Sequence, residues 1–278
     1  MGSGSSGVGG GGGSKATAPA TTPKDFKEAF APGKDFVAVG GANHDTRSVS
    51  RMTQAEWDAY ASQFGSDPSS SDVDSMMKTW DPRYDNLYGY FRTTNSMALN
   101  KKFYENVGKS PDEIFKGGKD AKSRKQNQKD LETVNTLDKV ISSHSTPADG
   151  LYYRFCTPES LQKSYGLSDA QINLIKQAPT MNASQLKQLN TALKGSRASS
   201  PGYTSVSANR SLNAFSNPSA KQSKGYIIER RMNVPKGTKA YAPKRNAQES
   251  EVIFGRNFGV GFSHLAVEGN HIVIYENH

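Results

Sequence analysis

Cysteine is almost absent: the 278 residues hold one, Cys156, which excludes an internal disulfide and a cysteine-paired structural zinc site. No apolar run approaches the roughly 18 to 20 residues that span a bilayer. The opening MGSGSSGVGGGGGS lacks the apolar stretch of a secretory signal. Histidine is scarce as well. His44, His144, His264, His271 and His278 show no His-x-x-x-His or Glu-adjacent helical spacing, so zinc hydrolysis has no support. The glycine-rich start carries no Gly-Lys-Ser/Thr and follows no strand, which removes a phosphate loop. No fixed-period repeat is visible.

What is there suffices for a packed core, with 34% hydrophobic and 22% charged residues, enough for one large or two modest domains. The charge is uneven. Up to Gly150 there are 19 Lys+Arg and 19 Asp+Glu, whereas the remaining residues hold 16 against 7, so the whole surplus of +9 lies in the second part. Such a field attracts anions: nucleic acid, an acidic protein surface or a phosphate-bearing cofactor. A merely solvated basic face is the plain alternative.

Residues 1–23 are Gly, Ser, Ala, Thr and Pro with almost no large apolar side chain, and are expected to form a flexible leader. Surface loops are expected at Ser69–Ser71 and over Lys116–Gln128. Apolar residues at three-to-four spacing predict helices over Gln54–Phe64, Tyr84–Val107, Leu131–Ser142, Leu161–Ile175 and Ser184–Leu193. Thr53 with Glu56 is a capping-box pattern, and Asn182 or Ser184 would cap the last helix. After Gly150 short apolar runs alternate with turn residues. They predict seven strands: Leu151–Cys156, Gly202–Ser207, Gly225–Val234, Thr238–Tyr241, Glu251–Phe254, Phe262–Glu268 and His271–Tyr275. The class is therefore α+β, with a mainly helical first half and a two-sheet β core in the second.

Three strands carry candidate chemistry. Arg154 interrupts the otherwise apolar Leu151-Tyr152-Tyr153-Arg154-Phe155, and a buried guanidinium needs an anion, supplied either by a core salt bridge or by a phosphate. In Gly202-Tyr203-Thr204-Ser205-Val206-Ser207 the alternation puts Ser205 and Ser207 on one face. There they can hold a ribose, orient a carboxylate, or simply meet solvent. In Glu249-Ser250-Glu251 extended backbone points both carboxylates the same way, an arrangement suited to glycosidic chemistry or to a solvated pair. Cys156, without a located base, reads as a small buried residue.

Taken in order, these three segments resemble the arginine, Ser-Thr-Ser and Glu-x-Glu motifs of the mono-ADP-ribosyltransferases found in clostridial binary toxins, vegetative insecticidal toxins, bacterial effectors and bacteriophages. Val234-Pro235-Lys236-Gly237-Thr238-Lys239 is similar to the turn ahead of the family's catalytic loop, and Phe215 stands where an aromatic often follows the serine motif. Two residues depart from the pattern. Phe155 replaces a frequent glycine after the arginine, and Val206 replaces the central threonine. The resemblance implies one transferase domain over residues 24–278, with residues 149–278 holding the NAD site. It implies NAD as substrate and no metal, with Glu251, Glu249 and Ser205 catalytic and Arg154, Phe155, Ser205, Ser207 and Phe215 binding NAD. Glu249 fits the arginine-modifying subclass, so the implied partner is a protein carrying a modifiable arginine, such as actin or host RNA polymerase. Nucleic acid and a membrane are not implied. The chain would act as a monomer or within a delivery complex, after secretion, injection or virion delivery into a host cytoplasm. The alternatives are an NAD glycohydrolase and a non-catalytic basic binding protein on a degenerate transferase fold.

Overall fold

The computed structural model describes residues 54–66, 76, 95–208, 226–244, 250–268 and 271–278, the side chains of 95–97 excepted. The expected leader, Thr53 of the expected cap, the serines at 69–71 and residues 84–94 of the second expected helix lie outside the described residues.

Four helices come first: α1 (Gln54–Ala61), α2 (Asn95–Glu105), α3 (Pro111–Phe115) and α4 (Ala121–Ser143). Trp57 of α1 is fully buried, and its indole N–H donates to the Pro243 carbonyl at 2.8 Å, tying this helix to a segment 186 residues away. Truncating such a side chain typically costs about 3–5 kcal/mol. The loop expected over Lys116–Gln128 is corrected: from Ala121 onward it is helix. Asp120 caps α4 by accepting from the Ser123 N–H while the Ser123 hydroxyl takes the Asp120 N–H. Lysine and glutamine are good helix formers, but these first turns project into solvent. The apolar periodicity starts only at Leu131, where the helix meets the core through Val134, Leu137, Val140 and Ile141.

After β1 (Gly150–Cys156) come α5 (Pro158–Tyr165), α6 (Asp169–Gln177), a short 3-10 turn and α7 (Ala183–Leu193). The single helix expected over Leu161–Ile175 is two. Gly166 adopts φ 63°, ψ 34° and ends α5, and Ser168 with Gln171 forms the capping box that starts α6. Asn182 is the cap of α7.

The remaining strands are β2 (Arg197–Ser199), β3 (Thr204–Ser207), β4 (Ile227–Val234), β5 (Ala240–Tyr241), β6 (Glu251–Phe254), β7 (Gly259–Glu268) and β8 (His271–Asn277). Every expected strand recurs, with β7 beginning at Gly259 and shifting register between Phe262 and His264. The extra one is β2, whose Arg-Ala-Ser has no apolar signature. The order is β2-β7-β8-β4-β1-β3-β6-β5, with only β4 and β8 parallel. Five strands and three strands meet at β1 and β3, which share one register pair, Tyr153 with Ser207. Tyr152, Met232, Val206, Val252 and Phe254 form a core with α1; Ile228, Ile272 and Ile274 pack on α5 to α7; Tyr203, Tyr241 and Ile253 pack on α2 to α4.

Candidate active site

Side chains alternate along a strand, and the β3–β6 register pairs Ser205 with Ile253 and Ser207 with Glu251. Ser205, Ser207 and Glu251 therefore share one face. The Ser205 hydroxyl donates to Glu251 Oε1 at 2.5 Å, and the carboxylate is only 6% exposed. A hydrogen bond to an ionised acceptor at this length is of the strong kind. The extended backbone expected through Glu249-Ser250-Glu251 is corrected: β6 starts at Glu251, and just before it Ser250 sits at φ 45°, a left-handed conformation that costs a non-glycine residue about 1–3 kcal/mol. Its carbonyl accepts the Ala208 N–H at 2.8 Å, so the entry to β6 is held against the exit of β3.

Two helices fix this strand pair. On α2, Asn100 Oδ1 accepts the Tyr203 N–H at 2.8 Å, and a Cβ at Gly202 would lie 2.2 Å from that oxygen, so only glycine lets the helix approach. On α4, Asp138 accepts the Tyr203 hydroxyl at 2.6 Å and pairs with Arg256, just beyond β6, at 2.6 Å. One carboxylate thus clasps the start of β3 and the end of β6. Neither Asn100 nor Asp138 was singled out from the sequence. The available signal was a helix-interior asparagine, a poor helix former unless its amide has work elsewhere.

Arg154 goes elsewhere. Because Tyr153 is level with Ser207, Arg154 points to the other face, where it lines a pocket with Tyr104, Ser160, Ser164, Ser200, Thr204 and Arg230. It has no ion pair and no side-chain hydrogen bond among the described residues. Burial, and then the neighbouring Arg230 cation, hold its pKa below the usual arginine value. Among the described residues, the core salt bridge that a purely structural role requires is not formed. Phe155 returns to the face of Ser207, level with Glu229 and edge-on to His271 at 6.1 Å. Burial pushes the Cys156 thiol up to about 11, which leaves little thiolate for nucleophilic chemistry. Glu249 and Phe215 lie outside the described residues.

The family model "ADP-ribosyltransferase exoenzyme" matches residues 85–274. The chain belongs to that family. As an ADP-ribosyltransferase it takes NAD as substrate. Among solved structures it is similar to the C3stau2 protein of S. aureus with NAD, at 19% identity and TM-score 0.55, covering 82% of this chain and 97% of that one. The Clostridium limosum C3 exoenzyme follows at 18% identity and TM-score 0.50, covering 81% and 91%. These likenesses show that the ADP-ribosyltransferase has the fold of those exoenzymes. No curated protein sequence matches it. Among the described residues the transferase has no group of three or more His, Cys, Asp and Glu that could hold a metal, and no helix long and apolar enough to cross a membrane.

Proposed function

We propose that the chain breaks the glycosidic bond between nicotinamide and ribose in NAD and passes ADP-ribose to an arginine of a target protein. The observation that best supports this reading is the part-buried Ser205–Glu251 hydrogen bond of 2.5 Å. In the step, the C1'–N bond breaks with its electron pair leaving on neutral nicotinamide, and positive charge grows on the ribose. A carboxylate fixed in advance stabilises that charge without reorganising. Glu251 takes this role and holds the ribose 2'-hydroxyl, while Ser205 orients Glu251 and Ser207 lines the same face. Arg154 clamps a phosphate, whose paired oxygens match the guanidinium fork, and a dinucleotide reaches both groups by passing round the adjoining ends of β1 and β3. An arginine acceptor is protonated in water. Glu249 therefore takes its proton as the guanidinium nitrogen bonds to C1'.

The test is Glu249→Ala. Bond cleavage needs Glu251 and bound NAD, whereas attack by a guanidinium needs the base, an effect worth roughly 100- to 10,000-fold. The variant is expected to keep much of its nicotinamide release while losing ADP-ribosylation of protein or of agmatine. Equal loss of both activities, or unchanged labelling, overturns the role given to Glu249. A wild-type chain that releases nicotinamide but labels neither protein nor agmatine is a glycohydrolase instead.

A further inference from the structure

Arg154 does not stand alone in its pocket. Arg230 of β4 is its cross-strand partner on the same face and is 6% exposed. Its Nε donates to Glu276 at 2.9 and 3.0 Å, and its Nη2 lies 2.8 Å from the same carboxylate, which is itself fully buried. The Tyr165 hydroxyl also donates to Glu276. Among the described residues the two guanidinium groups thus have one carboxylate beside them, paired with Arg230 alone, which leaves this group one negative charge short. Among the described residues Arg230 Nη1 makes no hydrogen bond, nor do the hydroxyls of Ser160 and Thr204, and all three residues line the pocket. Burying cations without enough counter-charge is costly. A fold keeps such a pair where an anion completes it.

We propose that Arg230 is a second phosphate-binding residue of the NAD site, held by Glu276 so that its remaining N–H groups serve the diphosphate beside Arg154. This rests on the reading of Arg154 as a phosphate clamp. Arg154 takes one phosphate, Arg230 Nη1 the other, and the Ser160 and Thr204 hydroxyls donate to the oxygens left over. Glu276 is a positioning residue. It engages the Nε–Nη2 edge of Arg230 and leaves Nη1 as the edge free to bind.

Calorimetric NAD titration, steady-state kinetics and thermal melts with inorganic pyrophosphate test this on the full chain. Pyrophosphate is expected to raise the melting temperature of the wild type and to compete with NAD. Arg154→Met and the double variant Arg230→Met/Glu276→Met should each weaken NAD binding at least tenfold and abolish the pyrophosphate shift. Arg230→Lys, which keeps the pair with Glu276 but loses the fork, should raise KM for NAD several-fold more than it lowers kcat. If Arg154→Met loses binding while the folded double variant binds NAD normally, Arg230 is excluded and the Arg154 reading stands. If both variants bind normally, both readings fall. Should the double variant fail to fold, an unchanged KM in Arg230→Lys overturns the inference. Pyrophosphate binding that leaves NAD affinity untouched overturns it too, because the anion site is then separate from the NAD site.

Discussion

Glu251→Gln separates charge from shape at the proposed reaction centre. The amide keeps an oxygen where Glu251 Oε1 accepts the Ser205 hydroxyl at 2.5 Å, but that acceptor becomes neutral. Hydrogen bonds to charged groups contribute about 1.5–3 kcal/mol and neutral ones about 0.5–1.5, so about 1 kcal/mol of local fixation is lost. Against this, the side chain is only 6% exposed, and a neutral group is cheaper to bury there than a charged one. The two effects oppose each other, and the melting temperature should stay within a few degrees of wild type. The chemical step has no such compensation. Withdrawing one pre-placed electrostatic group typically raises a barrier by about 3–4 kcal/mol, a fall of roughly 150- to 900-fold in rate. Nicotinamide release at saturating NAD, measured beside a thermal melt and far-ultraviolet circular dichroism, reads both quantities on one sample. A folded variant that still releases nicotinamide at more than a tenth of the wild-type rate refutes the role given to Glu251.

Other perturbations address the supports. Asp138→Ala removes the acceptor of Tyr203 and the partner of Arg256, and should cost about 2 kcal/mol, seen as a melting point lowered by roughly 4–8 °C. Gly202→Ala puts a methyl 2.2 Å from Asn100 Oδ1; it should destabilise by about 1–3 kcal/mol and lower transfer activity, and a melt identical to wild type contradicts the close approach of α2. For Cys156, burial pushes the thiol from about 9 to about 11, so at pH 8 its thiolate fraction falls about a hundredfold. Iodoacetamide should label it about a hundredfold more slowly than a peptide thiol and accelerate as the pH rises towards 11, and brisk labelling at pH 8 contradicts the raised pKa.

Local pattern carried the strands that hold Ser205, Ser207 and Glu251, because alternation is written in adjacent residues. It also carried the caps at Asn182 and the turn at Pro235–Gly237, each a matter of a few neighbouring side chains. The face to which Arg154 points was not legible: it follows from the pairing of Tyr153 with Ser207, 54 positions on, which no local period encodes. The same holds for Arg230, whose partner Glu276 lies 46 residues away, and for Asp138, which serves two strands from a helix. The start of α4 was missed for a different reason. A helix that extends beyond the core has no need of apolar residues, and hydrophobic periodicity reports contact with the core rather than helicity.

The meeting of β1 with β3 through one register pair, against seven between β1 and β4, bears on how the molecule opens. Arg154 and Arg230 belong to the five-stranded part, and Ser205 and Glu251 to the three-stranded part. On the proposed roles, anchoring and bond breaking therefore sit in two parts of the sheet joined by a single register pair, while the clasps from Asn100 and Asp138 hold the three-stranded part to α2 and α4. Amide hydrogen exchange should find β3, β5 and β6 opening together, at a lower free energy than β1, β4 and β8. If Arg154 and Arg230 hold the phosphates as proposed, the phosphate end of the dinucleotide stays bound in that partly opened state while the Glu251 carboxylate swings out of reach. On that proposal, such a fluctuation pauses the reaction without releasing the substrate.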